Sequence, residues 1–177
     1  PMADGGEGTA ALLAAVTGGA LERLPAEDPL GRPVRAAVAR LGDGRTWAVD
    51  VAAASGLPSL APGERDPLRA SSAGTGHLVR QAFEAGAESV LLGLGGSATV
   101  DGGKGFCEAL GFRFLDDAGR DLSPGGGSLS RLHRIVPPTQ RPAALGRLRL
   151  AADVRNPLLG PEGAAPVFAP QKGASPE

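Results

Sequence analysis

Residues 89–105 read SVLLGLGGSATVDGGKG, and this stretch indicates the fold class of the chain. Residues 89–94 form a short apolar run without alternation, which is typical of a strand buried on both faces of a sheet. Six of the thirteen positions from 93 to 105 are glycine, and residues 106–110 predict a short helix. A buried strand, a glycine-rich loop and a helix in succession are typical of an α/β layer.

The segments on either side predict further helices and strands. Helical spacing or composition predicts helices at 10–16 and 75–85 and a helical turn at 164–168. Strands are predicted at 34–41, 46–51, 112–115 and 148–154, with a hairpin turn at 42–44 between the first two. We therefore predict an α/β fold: a mixed sheet with flanking helices, and glycine-rich loops gathered at one edge.

The composition disfavours nucleic-acid and membrane partners. The net charge is −1, which disfavours a polybasic surface for nucleic acid. No apolar run approaches the roughly 18–20 residues of a membrane span. Cys107 is the single cysteine, which excludes an internal disulfide and a cysteine-based metal site.

The glycine-rich loop at 95–105 is the strongest candidate for a functional site. Glycines let backbone N–H groups approach an anion closely, and the start of the following helix adds a partial positive charge. Asp101 adds a carboxylate that could hold a cation or accept a proton. The residues expected to bind a phosphate group are Gly95, Gly96, Ser97, Thr99, Gly102 and Gly103.

The loop does not match the P-loop pattern of nucleotide-binding proteins. That pattern requires G-x-x-x-x-G-K followed by Ser or Thr. Counted from Lys104, the first glycine position is Ala98 and the Ser/Thr position is Gly105. A P-loop therefore fails at both ends.

The dinucleotide-binding pattern fits this loop only in part. Gly93, Gly95 and Ala98 match G-x-G-x-x-[GA], and Asp116 and Asp117 lie near the offset expected of a ribose-binding carboxylate. In a dinucleotide-binding unit, however, the helix has begun by the position of Ala98. Here the Asp-Gly-Gly sequence at residues 101–103 would break that helix. A nicotinamide-dependent oxidoreductase therefore remains an alternative.

An acidic glycine-rich loop at residues 4–9 is the second candidate site. Asp4 and Glu7 lie three residues apart and could share a Mg²⁺ ion or take a hydroxyl proton. The alternative is a capped helix start, in which Glu7 or Thr9 satisfies N–H groups of the first turn.

Two further candidates lie in the last quarter of the chain. Asp153 lies at the C-terminal end of a predicted strand, where open α/β sheets bind ligands. The alternative is a turn that precedes Pro157. Lys172 is one of two lysines among 18 basic residues, and a compact ammonium group suits phosphate. The alternative is an exposed loop lysine.

Taken together, these segments resemble a known family. The chain contains, in this order, DGGEGT at 4–9, AAASGL at 52–57, GTG at 74–76, GGSATVDGG at 95–103, DVRNPL at 153–158 and PQKGA at 170–174. The set is similar to the bacterial type I glycerate kinase family over residues 2–177. The resemblance implies a cytoplasmic enzyme that phosphorylates glycerate with ATP and Mg²⁺.

The resemblance also implies roles for individual residues. Asp4, Glu7, Asp101 and Lys172 are the expected catalytic residues. Thr75 and Asn156 are expected to contact substrate, and Asp153 to bind the metal ion. Expected partners are glycerate and ATP, a homodimer is the candidate assembly, and neither nucleic acid nor a membrane is expected.

The family fold has two α/β domains, with the second inserted into the first. The resemblance assigns residues 1–20 to the end of the N-terminal segment of the first domain. It assigns 21–177 to the second domain, incomplete at its C-terminal side. We therefore expect residues 1–20 to pack poorly or to pair with another chain, and the 177 residues alone to be inactive. A non-catalytic protein that binds an organic acid or nucleotide is the remaining alternative.

Overall fold

The computed structural model describes residues 5–139 and 142–175, and most of them surround one mixed sheet. The strands are β1 (Ala20–Glu27), β2 (Pro33–Arg40), β3 (Thr46–Asp50), β4 (Ser89–Gly93), β5 (Arg113–Leu115), β6 (Arg134–Val136) and β7 (Leu148–Ala151). The helices are α1 (Thr9–Thr17), α2 (Ala52–Ser55), α3 (Ala73–Glu84), α4 (Lys104–Ala109) and α5 (Ala164–Phe168). No helix in these ranges is long and apolar enough to cross a membrane.

The main sheet has the strand order β1-β2-β3-β4-β7. Strands β1, β2 and β3 pair antiparallel, whereas β3, β4 and β7 pair parallel. Strands β5 and β6 form a separate antiparallel pair. The predicted α/β fold with a mixed sheet is therefore confirmed. Because β3, β4 and β7 run in one direction, they all end on the same side, which we call the carboxyl end of the sheet.

One face of the sheet packs on helix α3. Side chains alternate across a strand, so Val90 and Leu92 of β4 share this face with Val49 of β3. They pack with Leu78 and Ala82 of α3, and all five side chains are buried. This helix was predicted two residues shorter at its N-terminal end.

The opposite face packs on helix α1 through small residues. Ala10 and Ala14 of α1 contact Ala39 of β2 and Ala48 of β3, and all four are buried. The poor packing expected of residues 1–20 is therefore wrong for α1, because alanines on both surfaces let the helix approach the sheet closely. The alternative, pairing with another chain, stays a prediction. The assignment of residues 1–20 and 21–177 to different domains stays a prediction.

Two strands and one helix were not predicted. Strand β1 contains Pro25, a residue that sequence patterns place outside central strands. The strand nevertheless pairs with β2 over its whole length, from Ala20 opposite Arg40 to Glu27 opposite Pro33. It lies at the edge of the sheet, where a missing N–H group is tolerated. Strand β6 and the four-residue helix α2 are short and lack a clear period.

The approach of α3 to α4 generates a stability prediction. A methyl group on Gly76 of α3 would lie 2.6 Å from the Phe106 carbonyl oxygen and 2.7 Å from the Ala109 side chain. Alanine favours a helix by about 1 kcal/mol over glycine, but overpacking costs about 1–3 kcal/mol. Because the methyl group would meet backbone atoms of Phe106, the overpacking cost falls in the upper part of that range, and we expect Gly76→Ala to lower the free energy of unfolding by about 1–2 kcal/mol in urea denaturation.

Gly63→Ala is the matched control, because the added methyl group would meet nothing within 4 Å. Its effect should stay within about 0.5 kcal/mol. A Gly76→Ala variant more stable than the parent protein would contradict the close approach of the two helices.

Candidate functional site

The carboxyl end of the sheet brings three loops side by side. The Val51 N–H group donates to the Gly93 carbonyl at 2.9 Å, so the chain leaving β3 stays against the end of β4. The Leu94 N–H group donates to the Ala151 carbonyl at 3.0 Å, which joins the loops that follow β4 and β7. Ligands of open α/β sheets bind at such an end.

Residues 5 and 6 cross over the end of β4 at very short range. The Gly95 N–H group donates to the Gly5 carbonyl at 2.9 Å. A methyl group on Gly93 would lie 2.5 Å from the Gly5 oxygen, and one on Gly95 would lie 2.6 Å from the Gly6 Cα. Only glycine fits at these two positions. The crossing puts the acidic loop against the glycine-rich loop.

Asp50, at the end of β3, fixes the acidic loop in place. Its carboxylate accepts the Gly8 N–H at 3.0 Å and the Ala10 N–H at 3.0 Å, which satisfies the first turn of α1. Burial raises the pKa of Asp50 above its ordinary value, against the opposing effect of these two amides. Asp50 lies at the end of a predicted strand, as Asp153 does, but no motif around it in the sequence indicates a site residue.

A cavity of about 320 Å³ opens where these loops meet. Five predicted site residues line it together with neighbouring residues of the same loops. The lining residues are Gly6, Leu94, Gly95, Gly96, Ser97, Ala152, Asp153, Val154, Phe168, Gln171 and Lys172. Two larger surface concavities, of about 640 and 500 Å³, contain none of the predicted site residues. Because the predicted site residues line the smaller cavity, we take that cavity as the candidate functional site.

Gly96 and Ser97 of the glycine-rich loop line this cavity, and their backbone N–H groups are candidate anion donors. The Leu57 N–H donates to the Gly96 carbonyl and the Ala98 N–H to the Ser55 carbonyl, both at 2.9 Å. These bonds hold residues 96–98 rigidly. Residues 95 and 96 form a turn after Leu94, and within residues 5–139 and 142–175 neither the Gly96 nor the Ser97 N–H group makes a short, well-aligned hydrogen bond. Two fixed amide donors at a cavity wall can bind an anion.

Lys172 adds a positive charge to the same wall. Its Nζ atom donates to Ser97 Oγ at 2.8 Å and to the Thr99 carbonyl at 2.9 Å, and the residue is 8% exposed. Burial lowers the pKa of Lys172 below its ordinary value, and the negative charge of Asp101 acts in the opposite direction.

The second lysine, Lys104, has a different environment. Its buried Nζ atom donates to the Glu108 carboxylate at 3.0 Å and to the Ser123 carbonyl at 2.9 Å. Lys104 does not line the cavity. Its ammonium group therefore satisfies groups of its own helix and loop.

Asp101 lies beneath the glycine-rich loop and does not line the cavity. It is 2% exposed. Its Oδ2 atom accepts the Ser72 N–H and the Ser72 hydroxyl, each at 2.8 Å, and the Gly105 N–H at 3.1 Å. Its Oδ1 atom accepts the Gly103 N–H at 3.1 Å. These four bonds join the N-termini of α3 and α4 and favour a structural role; the catalytic role stays a prediction.

Two other expected site residues lie outside the cavity. Thr75 is 1% exposed and donates to Ser55 Oγ at 2.8 Å, behind residues 96–98. Asn156 is exposed and its Nδ2 atom donates to the Glu162 carbonyl at 3.0 Å. Their contact with substrate stays a prediction.

The remaining expected residues have varied positions. Glu7 is exposed and follows Gly6, which lines the cavity. Asp4 lies outside the described residues. Gly102 precedes α4 and is exposed.

The donor set at the cavity is compatible with Mg²⁺ bound together with phosphate. Among the described residues, no group of three or more His, Cys, Asp or Glu side chains could hold a metal ion. Mg²⁺ in phosphate-binding enzymes is usually held by one or two carboxylates, water and substrate oxygens. Asp153, in the cavity wall, supplies one such carboxylate.

The environments of Asp50 and Asp43 predict opposite effects of pH on the free energy of unfolding. Burial raises the pKa of Asp50, so the folded state binds its proton more tightly and loses stability as pH rises above about 3.8. Hydrogen bonds from Thr46 lower the pKa of Asp43, so its contribution is lost as pH falls below about 3.8.

Free energies of unfolding measured from about pH 3 to pH 7 test both signs. The stability difference between the parent protein and Asp50→Asn should shrink as pH rises. The stability difference between the parent protein and Asp43→Asn should grow as pH rises. A difference for Asp50→Asn that grows with pH would show that the carboxylate is not buried as described.

The chain is similar to known proteins over its whole length. A model of the glycerate kinase family matches residues 1–177. The chain is 48% identical over 176 residues to a glycerate kinase of Bacillus subtilis (strain 168), a match that covers 99% of this chain and 46% of that protein. It is 45% identical over 179 residues to a glycerate 2-kinase of Escherichia coli (strain K12), again covering 99% of this chain and 46% of that protein.

A crystal structure has the same fold. It is of a Salmonella typhimurium LT2 protein assigned as glycerate kinase 2, and it is 45% identical with a TM-score of 0.94. The match covers 99% of this chain and 48% of that one. The chain thus spans about half the length of the relatives it matches. The family model and these identities show that the chain belongs to the glycerate kinase family.

Proposed function

We propose that this protein transfers the γ-phosphoryl group of ATP to a hydroxyl group of glycerate. One observation carries the proposal: Gly96 and Ser97, whose N–H groups make no short hydrogen bond to another described residue, line the same cavity as Lys172, whose ammonium group contacts Ser97. Fixed amide donors beside a positive charge suit a phosphate group. Membership of the glycerate kinase family supports glycerate as the acceptor.

Phosphoryl transfer depends on placing the reacting groups and neutralising charge. In this proposal the Gly96 and Ser97 amides and the Ser97 hydroxyl bind phosphate oxygens. Lys172 stabilises the negative charge that spreads over the phosphoryl oxygens during transfer. The pairing of residues 96–98 with residues 55–57 keeps these donors in place before ATP binds.

A carboxylate must accept the proton of the attacking hydroxyl group. Glu7 is exposed on the acidic loop next to Gly6, so its carboxylate is available for this role. Asp4, on the same loop, stays the other candidate. Asp153 would hold Mg²⁺ in the cavity, and Mg²⁺ when bound neutralises charge on the ATP phosphates.

Several expectations accompany the proposal without bearing on it. The homodimer, the cytoplasmic location and the absence of nucleic-acid partners stay predictions. The proposed chemistry needs only one chain and does not depend on them. The division at residue 20 stays a prediction too, as does the inactivity of the 177 residues alone. For that reason the tests below use the full-length protein.

The first test measures ADP release by the full-length protein with ATP, Mg²⁺ and glycerate. We expect glycerate-dependent turnover, and Lys172→Met should lower kcat/KM by about 10²–10³-fold because it removes charge stabilisation in the transition state. Arg45→Met is the matched control: it also removes one cation, but from an exposed side chain directly before β3, away from the carboxyl end of the sheet.

Two results would contradict the proposal. ATP turnover that needs another acceptor would remove glycerate as the substrate. Binding of glycerate or ATP without any turnover would favour the non-catalytic alternative. A thermal-shift comparison of MgATP, NADH and glycerate separates the oxidoreductase alternative, since only that alternative predicts stabilisation by NADH.

A further inference from the structure

The contact between Lys172 and Ser97 restricts the direction of the Ser97 hydroxyl proton. An ammonium group has three N–H donors and no acceptor. In the 2.8 Å bond from Lys172 Nζ, Ser97 Oγ must therefore be the acceptor. The hydroxyl proton of Ser97 then has to point away from Nζ.

The structure offers that proton no acceptor among residues 5–139 and 142–175. The Ser97 hydroxyl donates to none of these residues, although its residue lines the cavity. The backbone of Ser97 is also fixed, because residues 96–98 pair with residues 55–57 on their other side. What is left for the hydroxyl is to donate into the cavity.

Lys172 restrains the loop at a second point. Its Nζ atom also donates to the Thr99 carbonyl at 2.9 Å, so one ammonium group bridges two positions of the loop that follows β4. One N–H of the ammonium remains unused among the described residues. Because Lys172 is 8% exposed, water competes little for these bonds.

We propose that Lys172 is a positioning residue for Ser97: it fixes the Ser97 hydroxyl as a hydrogen-bond donor into the cavity, where the ligand is a phosphate oxygen. This role is distinct from charge neutralisation alone. It rests on the proposed phosphate site, but not on glycerate being the acceptor. Lysine suits it because a compact ammonium can reach two oxygens at once from a buried position, which a planar guanidinium matches less well.

A double-mutant cycle tests this dependence in the full-length protein. The variants are Lys172→Met, Ser97→Ala and the double variant, and the probe is MgADP binding measured by calorimetry. If Lys172 acts through Ser97, the double variant should bind MgADP within about threefold of Lys172→Met. The coupling between the two sites should then be at least about tenfold.

Independent effects would overturn the inference. They would appear as a double variant whose affinity loss equals the product of the two single losses. A Ser97→Ala variant that binds MgADP like the parent protein would overturn it as well. So would a parent protein that does not bind MgADP, because the cavity would then hold no phosphate.

The variant Lys172→Arg distinguishes a positioning role of Lys172 from a purely electrostatic role. It keeps the positive charge, so a purely electrostatic role predicts affinity near that of the parent protein. The positioning role predicts a loss of at least about tenfold, because the two bonds to Ser97 and Thr99 are not reproduced. Near-normal affinity of Lys172→Arg would therefore contradict the inference.

Thermal unfolding of the same variants serves as the folding control. It reports the Lys172–Ser97 bond whatever ligand the protein uses, so a non-additive shift in Tm shows that the bond exists. Coupling in MgADP binding without glycerate turnover would leave the inference standing and overturn the proposed substrate. Glycerate turnover together with independent effects of the two substitutions would support the proposed substrate and overturn the inference.

Discussion

The passage of Gly5 and Gly6 across the end of β4 is the constraint on which the candidate site depends. Two backbone segments lie so close that a single methyl group on Gly93 or Gly95 would meet backbone atoms at 2.5–2.6 Å. This approach makes Gly6 part of the cavity wall and sets the acidic loop beside the glycine-rich loop. The Asp50 carboxylate holds the acidic loop in place by accepting the first N–H groups of α1. The glycines thus matter here for the space that they leave rather than for flexibility.

Buried charges organise the loops around this crossing. Asp101 accepts four hydrogen bonds beneath the glycine-rich loop, and Lys172 donates two above it. A buried charge is tolerated when hydrogen bonds replace the lost water. The opposite signs of the two groups also help, since the charge of Asp101 opposes the loss of the Lys172 proton. The result is a set of fixed donors beside one cavity, an arrangement that suits an anion such as phosphate.

Much of the fold could be predicted from local pattern. The buried strand at 89–93, the hairpin that joins β2 to β3 and the amphipathic helix α3 all have a clear period or turn signal. Strand β1 could not be predicted in this way. Its pairing with β2 is a tertiary interaction, and Pro25 argues locally against a strand.

The candidate site shows the same division between local and long-range information. The glycine-rich loop and Lys172 were identified by composition, and the structure places Gly95, Gly96, Ser97, Asp153 and Lys172 around one cavity. Asp101 follows Ser97 and Thr99 in sequence but turns inward, where Gly102 and Gly103 have φ values of +60° and +76°. The role of Asp50 depends on amides about 40 residues earlier in the chain, so no local pattern indicates it.

The central claim is that this cavity holds the phosphate groups of ATP. A crystal structure of the full-length protein with Mg²⁺ and a non-hydrolysable ATP analogue tests it most directly. The account predicts phosphate oxygens within about 3 Å of the Gly96 and Ser97 amide nitrogens and of Lys172 Nζ. Phosphates bound instead in the concavity of about 640 Å³ lined by residues 63–69 and 173–175 would contradict it.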